Sequence, residues 1–507
     1  MTVPERSRGR TLVTLIAWLA VFALLARVGV ERASELVTAN HDIGWFLHAG
    51  EVWLDGGEIG VDVIDTNPPL VIWLYGGEVA LARLLGVTPF VAHAWVTCFF
   101  AVAGAWLAAR ALARAGCSAA ERSSFGLVLM AFATVVAGYE FGQRELWLVF
   151  LLLPYGAWAL VPGRWSVERA LAGLGLALAV ALKPHYLAAA VLVVEALRFA
   201  ELRSVRAHAR VELALAALCV PLYLGAIQLA SPSYWSDARD TLAVYAAYDR
   251  TVPAWSVHTL LVGLALLASV AAWRCGPRSR VPGLFLALAL ASALAARLQH
   301  KNFAYHHIPT DVFAGAALAL ALLGFARPLL RSARAALGLE LGAALAAAGA
   351  LVLLPVRARD AELRSAEAAV LARLAPEQGF LVFTASVGAT FPAANFAPGR
   401  SLSPYSCLWL IAGNYGEAEL AASAFPYRAL AEMPEVERRA LERVVAVLAE
   451  QQPRVLLFDV RAAKQAFGRS PFEFRRYFEA HPDFARLFDE YRLLSRDAFF
   501  EYYECRD

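Results

Sequence analysis

Apolar runs about as long as a bilayer is thick recur along this chain, and the arginines between them gather in every second connection. The runs lie at roughly 11–30, 88–108, 123–138, 145–162, 167–182, 184–200, 211–230, 256–273, 281–298, 308–326 and 335–355. A helix needs ~20 apolar residues to cross the hydrocarbon layer. No water satisfies a backbone N–H or C=O there, so each run must close its hydrogen bonds on itself. Composition sets the same bound. A chain of 507 residues that is 59% hydrophobic and 18% charged, with a mean hydropathy of +0.53, is more apolar than a soluble core requires. The expected fold class is a polytopic α-helical membrane protein of about eleven to twelve spans.

Charge then assigns the sides, because connections rich in arginine stay in the cytoplasm. Arg6, Arg8 and Arg10 precede the first run, which lacks a convincing small-residue cleavage site. It reads as an uncleaved first span with a cytoplasmic N-terminus. Arg110/Arg114/Arg122, Arg164/Arg169, Arg198 to Arg210, Arg274/Arg278/Arg280 and Arg327/Arg331/Arg334 mark the inner connections. Segments 139–145, the break at Lys183, 231–255 and 298–307 then face outward. Segment 69–86 would invert this order as a full span. With Gly76-Gly77-Glu78 and Arg83 it reads as a juxtamembrane or re-entrant helix on the outer side, a twelfth span being the alternative. The net charge of +3 encodes topology and carries no signal for nucleic acid.

After Val356 the apolar runs shorten. Phe380–Ser386, Arg454–Val460 and Phe499–Cys505 read as strands, and Ala361–Leu374 and Glu435–Glu450 as helices. The expected division is a membrane domain over 1–356, with its first outer loop at 31–68, and a small extracytoplasmic α/β domain over 357–507. Ser386-Val387-Gly388-Ala389 lacks the GxGxxG spacing, so a nucleotide site is not expected there. Six cysteines with no CxxC and no His/Cys ligand spacing argue against structural zinc. Cys98 and Cys219 read as small buried hydrophobes. Cys407 and Cys505 could pair if their domain is exported.

The outer segments hold the chemistry. From Glu31 to Asp65 there are eight carboxylates and, among Lys and Arg, only Arg32. Asp42 follows the first span, and Ile43, Phe46, Leu47 and Leu54 with Trp45 and Trp53 give the next stretch the pattern of an interfacial helix. Later outer segments supply cations: Arg144 within Tyr139–Glu145, Lys183 before Pro184-His185-Tyr186, and Lys301 within Gln299–His307. Ionisable groups at membrane depth are expensive and usually mark a pathway or a site. Converging cations suit a phosphate, with Arg gripping it bidentately and Lys acting as a point charge. One carboxylate beside them suits a general base.

Together these residues resemble the GT-C membrane glycosyltransferases, in particular the branch of lipid A aminoarabinose transferases and protein O-mannosyltransferases. The resemblance covers the membrane part. It rests on His41-Asp42, Asn67-Pro68-Pro69-Leu70, Gly142-Gln143-Arg144-Glu145, Lys183-Pro184-His185 and Gln299-His300-Lys301 followed by Tyr305-His306. It implies an inverting transfer of a sugar from a polyprenyl-phosphate donor to an envelope glycan, lipid or protein acceptor. The transfer would take place on the outer face of the cytoplasmic membrane, among its lipids. Asp42 would be the catalytic base, and Arg144, Lys183, Lys301 and His306 would receive the lipid phosphate. His41, Asn67, Gln143, Glu145, His185 and Tyr305 would line the substrates. The aminoarabinose branch carries a lysine where this chain has Asn67, which removes one phosphate ligand and leaves the donor type open.

Plainer readings stand beside these. Asp42 could cap the helix that follows it. Arg144 could merely pair with Glu140 or Glu145, and Lys183 needs some partner in so apolar a stretch. The Lys301–His306 loop could be only solvated. His41 and His48 beside Asp42 leave a divalent metal open, and no other cofactor is implied. Tyr234, Trp235, Tyr245 and Tyr248 suit sugar stacking, a lid or interface anchoring. A transporter or flippase for lipid-linked or amphiphilic substrates is the rival from another class. It should show paired repeats and polar residues at the midplane, whereas here the polar residues gather at outer ends.

Overall fold

The structure, a computed structural model, describes residues 5–159, 161–163, 165–203, 208–247, 256–273, 280–299, 301–326, 332–354 and 360–506. Arg164, Arg206, Arg274, Arg278, Arg327 and Arg331, as well as Tyr248 and His300, lie outside the described residues. In chain order the first helices are α1 (Glu5–Ala33), α2 (His41–Leu54), α3 (Leu70–Leu85), α4 (Pro89–Arg114), α5 (Ala119–Ala137) and α6 (Arg144–Ala159). There follow α7 (Val167–Leu182), α8 (Pro184–Leu202), α9 (Val211–Ala230), α10 (Ser233–Ala247) and α11 (Val257–Trp273). Last come α12 (Arg280–Leu298), α13 (Ile308–Ala326), α14 (Ala333–Val352) and α15 (Ala361–Leu371).

All the expected spans are helices. Among the described residues, six helical segments are both long and apolar enough to cross a bilayer, from Thr14–Ala33 to Arg334–Val352. Of the remaining runs, α11 and α12 contain shorter apolar helices, and Pro154 lies inside α6, as Pro221 does inside the longer α9. The chain is a polytopic membrane protein with a small C-terminal sheet domain.

The chain divides into two compact units. The first comprises Met1–Arg32, Val91–Ala226 and Asp249–Val356. Its centre is α6, whose residues are all buried, packed on α7 and α13. Around it α5 packs on α14 and on α13, and α12 on α8 and on α13. One end of this bundle carries a buried ion network. Arg169 meets Glu212 at 2.6 Å with both side chains almost wholly enclosed, while Glu195 receives Tyr155 at 2.6 Å and also pairs with Arg210 and His208. Gly173 permits this approach, since a Cβ there would lie 2.8 Å from Glu212 Cα.

The second unit comprises Ala33–Phe90, Ile227–Tyr248 and Arg357–Asp507. Segments 33–90 and 227–247, grouped by sequence with the membrane part, fall in one compact unit with the C-terminal domain. The reasons are specific. Buried Arg364 on α15 donates to the carbonyls of Leu36 and Ala39, Ile64 bonds to the carbonyl of Pro404, and Arg443 meets Asp237 at 2.7 Å. Helix α3 packs on α2. The two cross where a Cβ on Gly50 would come within 2.4 Å of the Gly76 nitrogen, and Arg83 closes their ends by reaching Asp55 and Glu51.

The sheet contains β1 (Gly379–Phe383), β2 (Arg400–Ser401), β3 (Val455–Asp459), β4 (Tyr491–Arg496) and β5 (Phe500–Cys505), in the order β2-β1-β3-β5-β4. Strand β1 runs parallel to both β2 and β3, and β5 is antiparallel to β3 and β4. The chain leaves β1 for a neighbour on one side and returns to the other side for β3. That places a topological switch point between their carboxyl ends. Phe383 and Phe458 stack at 4.4 Å under the rings of Phe478 and Phe484 to form the core. Three strands were expected; β2 and β4 were not, one being two residues long and the other an exposed edge. Cys407 is buried and Cys505 sits on β5, and neither forms a disulfide.

Candidate active site

In the second unit, α2 begins at a cap made by Asn40. Its side-chain oxygen accepts from the backbone N–H of Asp42 at 3.0 Å and of Ile43 at 3.2 Å. Asp42 therefore lies inside the first turn, and the capping role considered for it belongs to Asn40. A carboxylate there is favoured by the positive end of the helix dipole. Its side chain is 17% exposed, and Oδ1 lies 3.7 Å from His41 Nε2. The apolar face of α2, with Trp45, Phe46 and Leu47, is buried.

Asp65 fixes the chain that follows. One oxygen accepts from Trp45 Nε1 at 2.6 Å, and the other from the backbone and side-chain nitrogens of Asn67. Asn67 thus holds the turn into Pro68-Pro69. His48 packs against the rings of Trp45 and Phe391. Burial pushes its pKa down to about 4. Among the described residues no three His, Cys, Asp or Glu side chains gather as metal ligands.

The low His48 value has a consequence for stability. The unfolded imidazole takes a proton near pH 6.5 while the folded one resists until about 4. Stability is therefore full above pH 6.5 and falls as the pH drops through that window, by about 3 kcal/mol at most. His48→Gln should flatten this part of the profile relative to wild type in thermal unfolding from pH 7 to 4. Parallel profiles would remove His48 as the cause.

The first unit brings together most of the expected phosphate group. Gly142 adopts a φ of +96°, and the Gln143 carbonyl accepts from Leu146 and Trp147, which starts α6 with Arg144 and Glu145 pointing into the bundle. Helix α7 ends where Pro184 cannot supply an N–H, leaving Lys183 in the break with a φ of −146°. Lys183 Nζ reaches Glu145 Oε1 at 3.0 Å, with side chains 9% and 0% exposed.

Arg144 and His306 also act on the Glu145 carboxylate. His185 interacts with Lys183 and Glu145 and bonds to Gln299, a residue that only the motif, not its chemistry, had singled out. Tyr305 presents its ring edge-on to His306 at 4.6 Å. Gln143 is fully buried, 3.5 Å from Glu140. Lys301 is buried in the loop leading to His306. Sequence reasoning missed the neighbouring pair His258 and Asp311, 2.7 Å apart, with His307 stacked on His258. Both sit in first turns of apolar helices, and no motif marks them.

Compared with solved structures, the whole chain matches a crystal structure of ArnT from Cupriavidus metallidurans bound to undecaprenyl phosphate. The TM-score is 0.59, with 98% of each chain covered and 14% identity. The same protein in the apo state matches at a TM-score of 0.57 and 13% identity, again over 98% of each. This chain has the ArnT fold. No protein-family model matches it, and no curated protein matches it in sequence. The ArnT likeness extends over both units, so the C-terminal sheet domain belongs to the shared fold. The architecture expected from the sequence, a polytopic helical membrane part followed by a small C-terminal α/β domain, is the one found.

Proposed function

We propose that this protein is an inverting membrane glycosyltransferase that uses a polyprenyl-phosphate sugar and acts on an envelope acceptor at the outer membrane face. The observation that carries the reading most is electrostatic. Arg144 and Lys183 act on the buried Glu145 carboxylate, and Lys301 is buried in the loop leading to His306, in a bundle of the ArnT fold. Cationic side chains gathered at one site suit a phosphate, Arg gripping it bidentately and Lys acting as a point charge. Undecaprenyl phosphate is the ligand bound to the ArnT neighbour.

The reaction needs few parts. The acceptor oxygen attacks the anomeric carbon of the donor, and its proton passes to Asp42. The bond from that carbon to the phosphate oxygen breaks, and its electron pair leaves with the polyprenyl phosphate. Arg144, Lys183, Lys301 and His306 stabilise the growing phosphate charge. Glu145 holds Lys183, Tyr305 orients His306, and Gln143 and His185 support the same wall. His41 and Asn67 flank the acceptor side. Mass spectrometry of envelope glycans from cells with and without the gene tests the reading. One sugar mass should vanish with the gene, and an unchanged glycan profile would overturn it. In the same cells, a cysteine at Glu377 in a cysteine-free background should react with an impermeant thiol reagent, while one at Arg122 should not.

A further inference from the structure

In open α/β sheets, ligands bind in the crevice beyond the carboxyl ends of parallel strands, at the switch point. Here that crevice lies between β1 and β3. The end of β1 supplies Thr384 and the turn Ser386-Val387-Gly388, and the end of β3 supplies Asp459 and Arg461. Thr384 Oγ1 donates to Asp459 at 2.8 Å, and Arg461 grips the same carboxylate through two nitrogens at 2.9 and 2.6 Å. Arg461 also lies within electrostatic reach of Asp360 and Glu367. Glu367 is fully enclosed, and neither of its carboxylate oxygens has a hydrogen-bond partner.

What faces this crevice is the start of α2. A Cβ on Gly388 would stand 3.9 Å from His41 Cγ, and 3.8 Å from both Ser386 Oγ and Asp360 Oδ2. All these atoms belong to one unit, and His41 is the neighbour of Asp42. Asp360 itself holds a φ of +49°, a left-handed conformation that aspartate adopts more readily than most residues other than glycine. We propose that this crevice is the acceptor subsite, and that it takes a neutral, hydroxyl-rich sugar ring whose reacting hydroxyl is handed to Asp42. The proposal rests on the glycosyltransferase reading above. Hydroxyls of a sugar can donate to Asp360 and accept from Ser386 and Arg461, which is the pairing the crevice offers. An anionic ligand would meet the carboxylates of Asp360 and of Asp42, the residue next to His41. The turn after β1 is a single 3-10 turn rather than a long helix, so it forms no phosphate cradle.

Gly388 gives the test, because the fold has room for a methyl group there while a sugar would compete for the same space. Gly388→Ala and Gly388→Gln are expressed in cells lacking the native gene, and envelope glycan is read by mass spectrometry. Each purified variant is also titrated with undecaprenyl phosphate. Product should fall severalfold with Ala and about tenfold or more with Gln, with lipid-phosphate binding unchanged in both. Wild-type levels of product from Gly388→Gln would overturn the subsite. So would loss of lipid-phosphate binding in step with product, since the block would then not be confined to the acceptor. Absence of product from wild-type cells would instead fail the glycosyltransferase reading itself, separately from the subsite.

Discussion

Asp42→Asn should leave expression and lipid-phosphate binding intact while lowering sugar transfer by ~10²–10⁴, the range for losing a general base. The structure sharpens this expectation. Had Asp42 been the cap of α2, Asn would replace it with little change, because the two are equally good caps. Asn40 performs that task through its own side chain. The substitution therefore removes a proton acceptor and a favourable dipole contact worth ~0.3–1 kcal/mol, but no cap. A second variant separates the two residues. Asn40→Ala should cost about 1 kcal/mol of stability with a modest effect on transfer. Sugar product, measured directly in cells and with purified protein, is the readout. Near-native transfer by Asp42→Asn would sink the assignment, and Glu51, Asp62 or Glu145 would become the residues to test.

The membrane helices were legible because hydropathy and arginine placement are properties of short windows. The same holds for β1, β3 and β5, whose apolar runs are bounded by turns. β4 was not legible, since its pattern is one buried residue followed by exposed ones, and at a sheet edge no alternation is enforced. The composition of the second unit could not be read either. It joins three segments far apart in sequence, and the links are tertiary: Arg364 to the carbonyls before α2, Ile64 to Pro404, Arg443 to Asp237.

The candidate site residues divide in the same way. Lys183 announced itself by a charge in an apolar run before a proline, and Asp42 by its place beyond the first span. Their local roles needed coordinates. The cap at Asn40, the hub at Asp65 and the pairing of Glu145 with Lys183 all depend on which atoms meet. Ser386 and Gly388 were read only as a failed phosphate motif. Their place at a switch point facing His41 depends on strand order, which a single strand pattern does not contain.

Lys183 should prove inseparable from Glu145 in stability yet separable in function. Lys183→Met leaves the Glu145 carboxylate in a site with no exposed surface and without its 3.0 Å cation. Breaking such a pair costs about 3–5 kcal/mol, so the single variant should unfold at lower temperature and accumulate poorly. Removing the charge on both sides, Lys183→Met with Glu145→Gln, takes away the stranded carboxylate and should recover most of that loss. If the pair were only structural, activity would return with stability. If Lys183 receives the lipid phosphate, the double variant should fold but bind undecaprenyl phosphate roughly ten- to hundredfold more weakly, one charge-assisted contact being worth ~1.5–3 kcal/mol. Transfer should fall further, by ~10²–10³, because the phosphate gains charge as the bond breaks and the missing stabiliser matters most there. Thermal unfolding, lipid-phosphate titration and product formation on the same preparations distinguish the two accounts. A double variant that recovers both stability and binding would make Lys183 a packing partner of Glu145 and leave Arg144 and Lys301 to hold the phosphate.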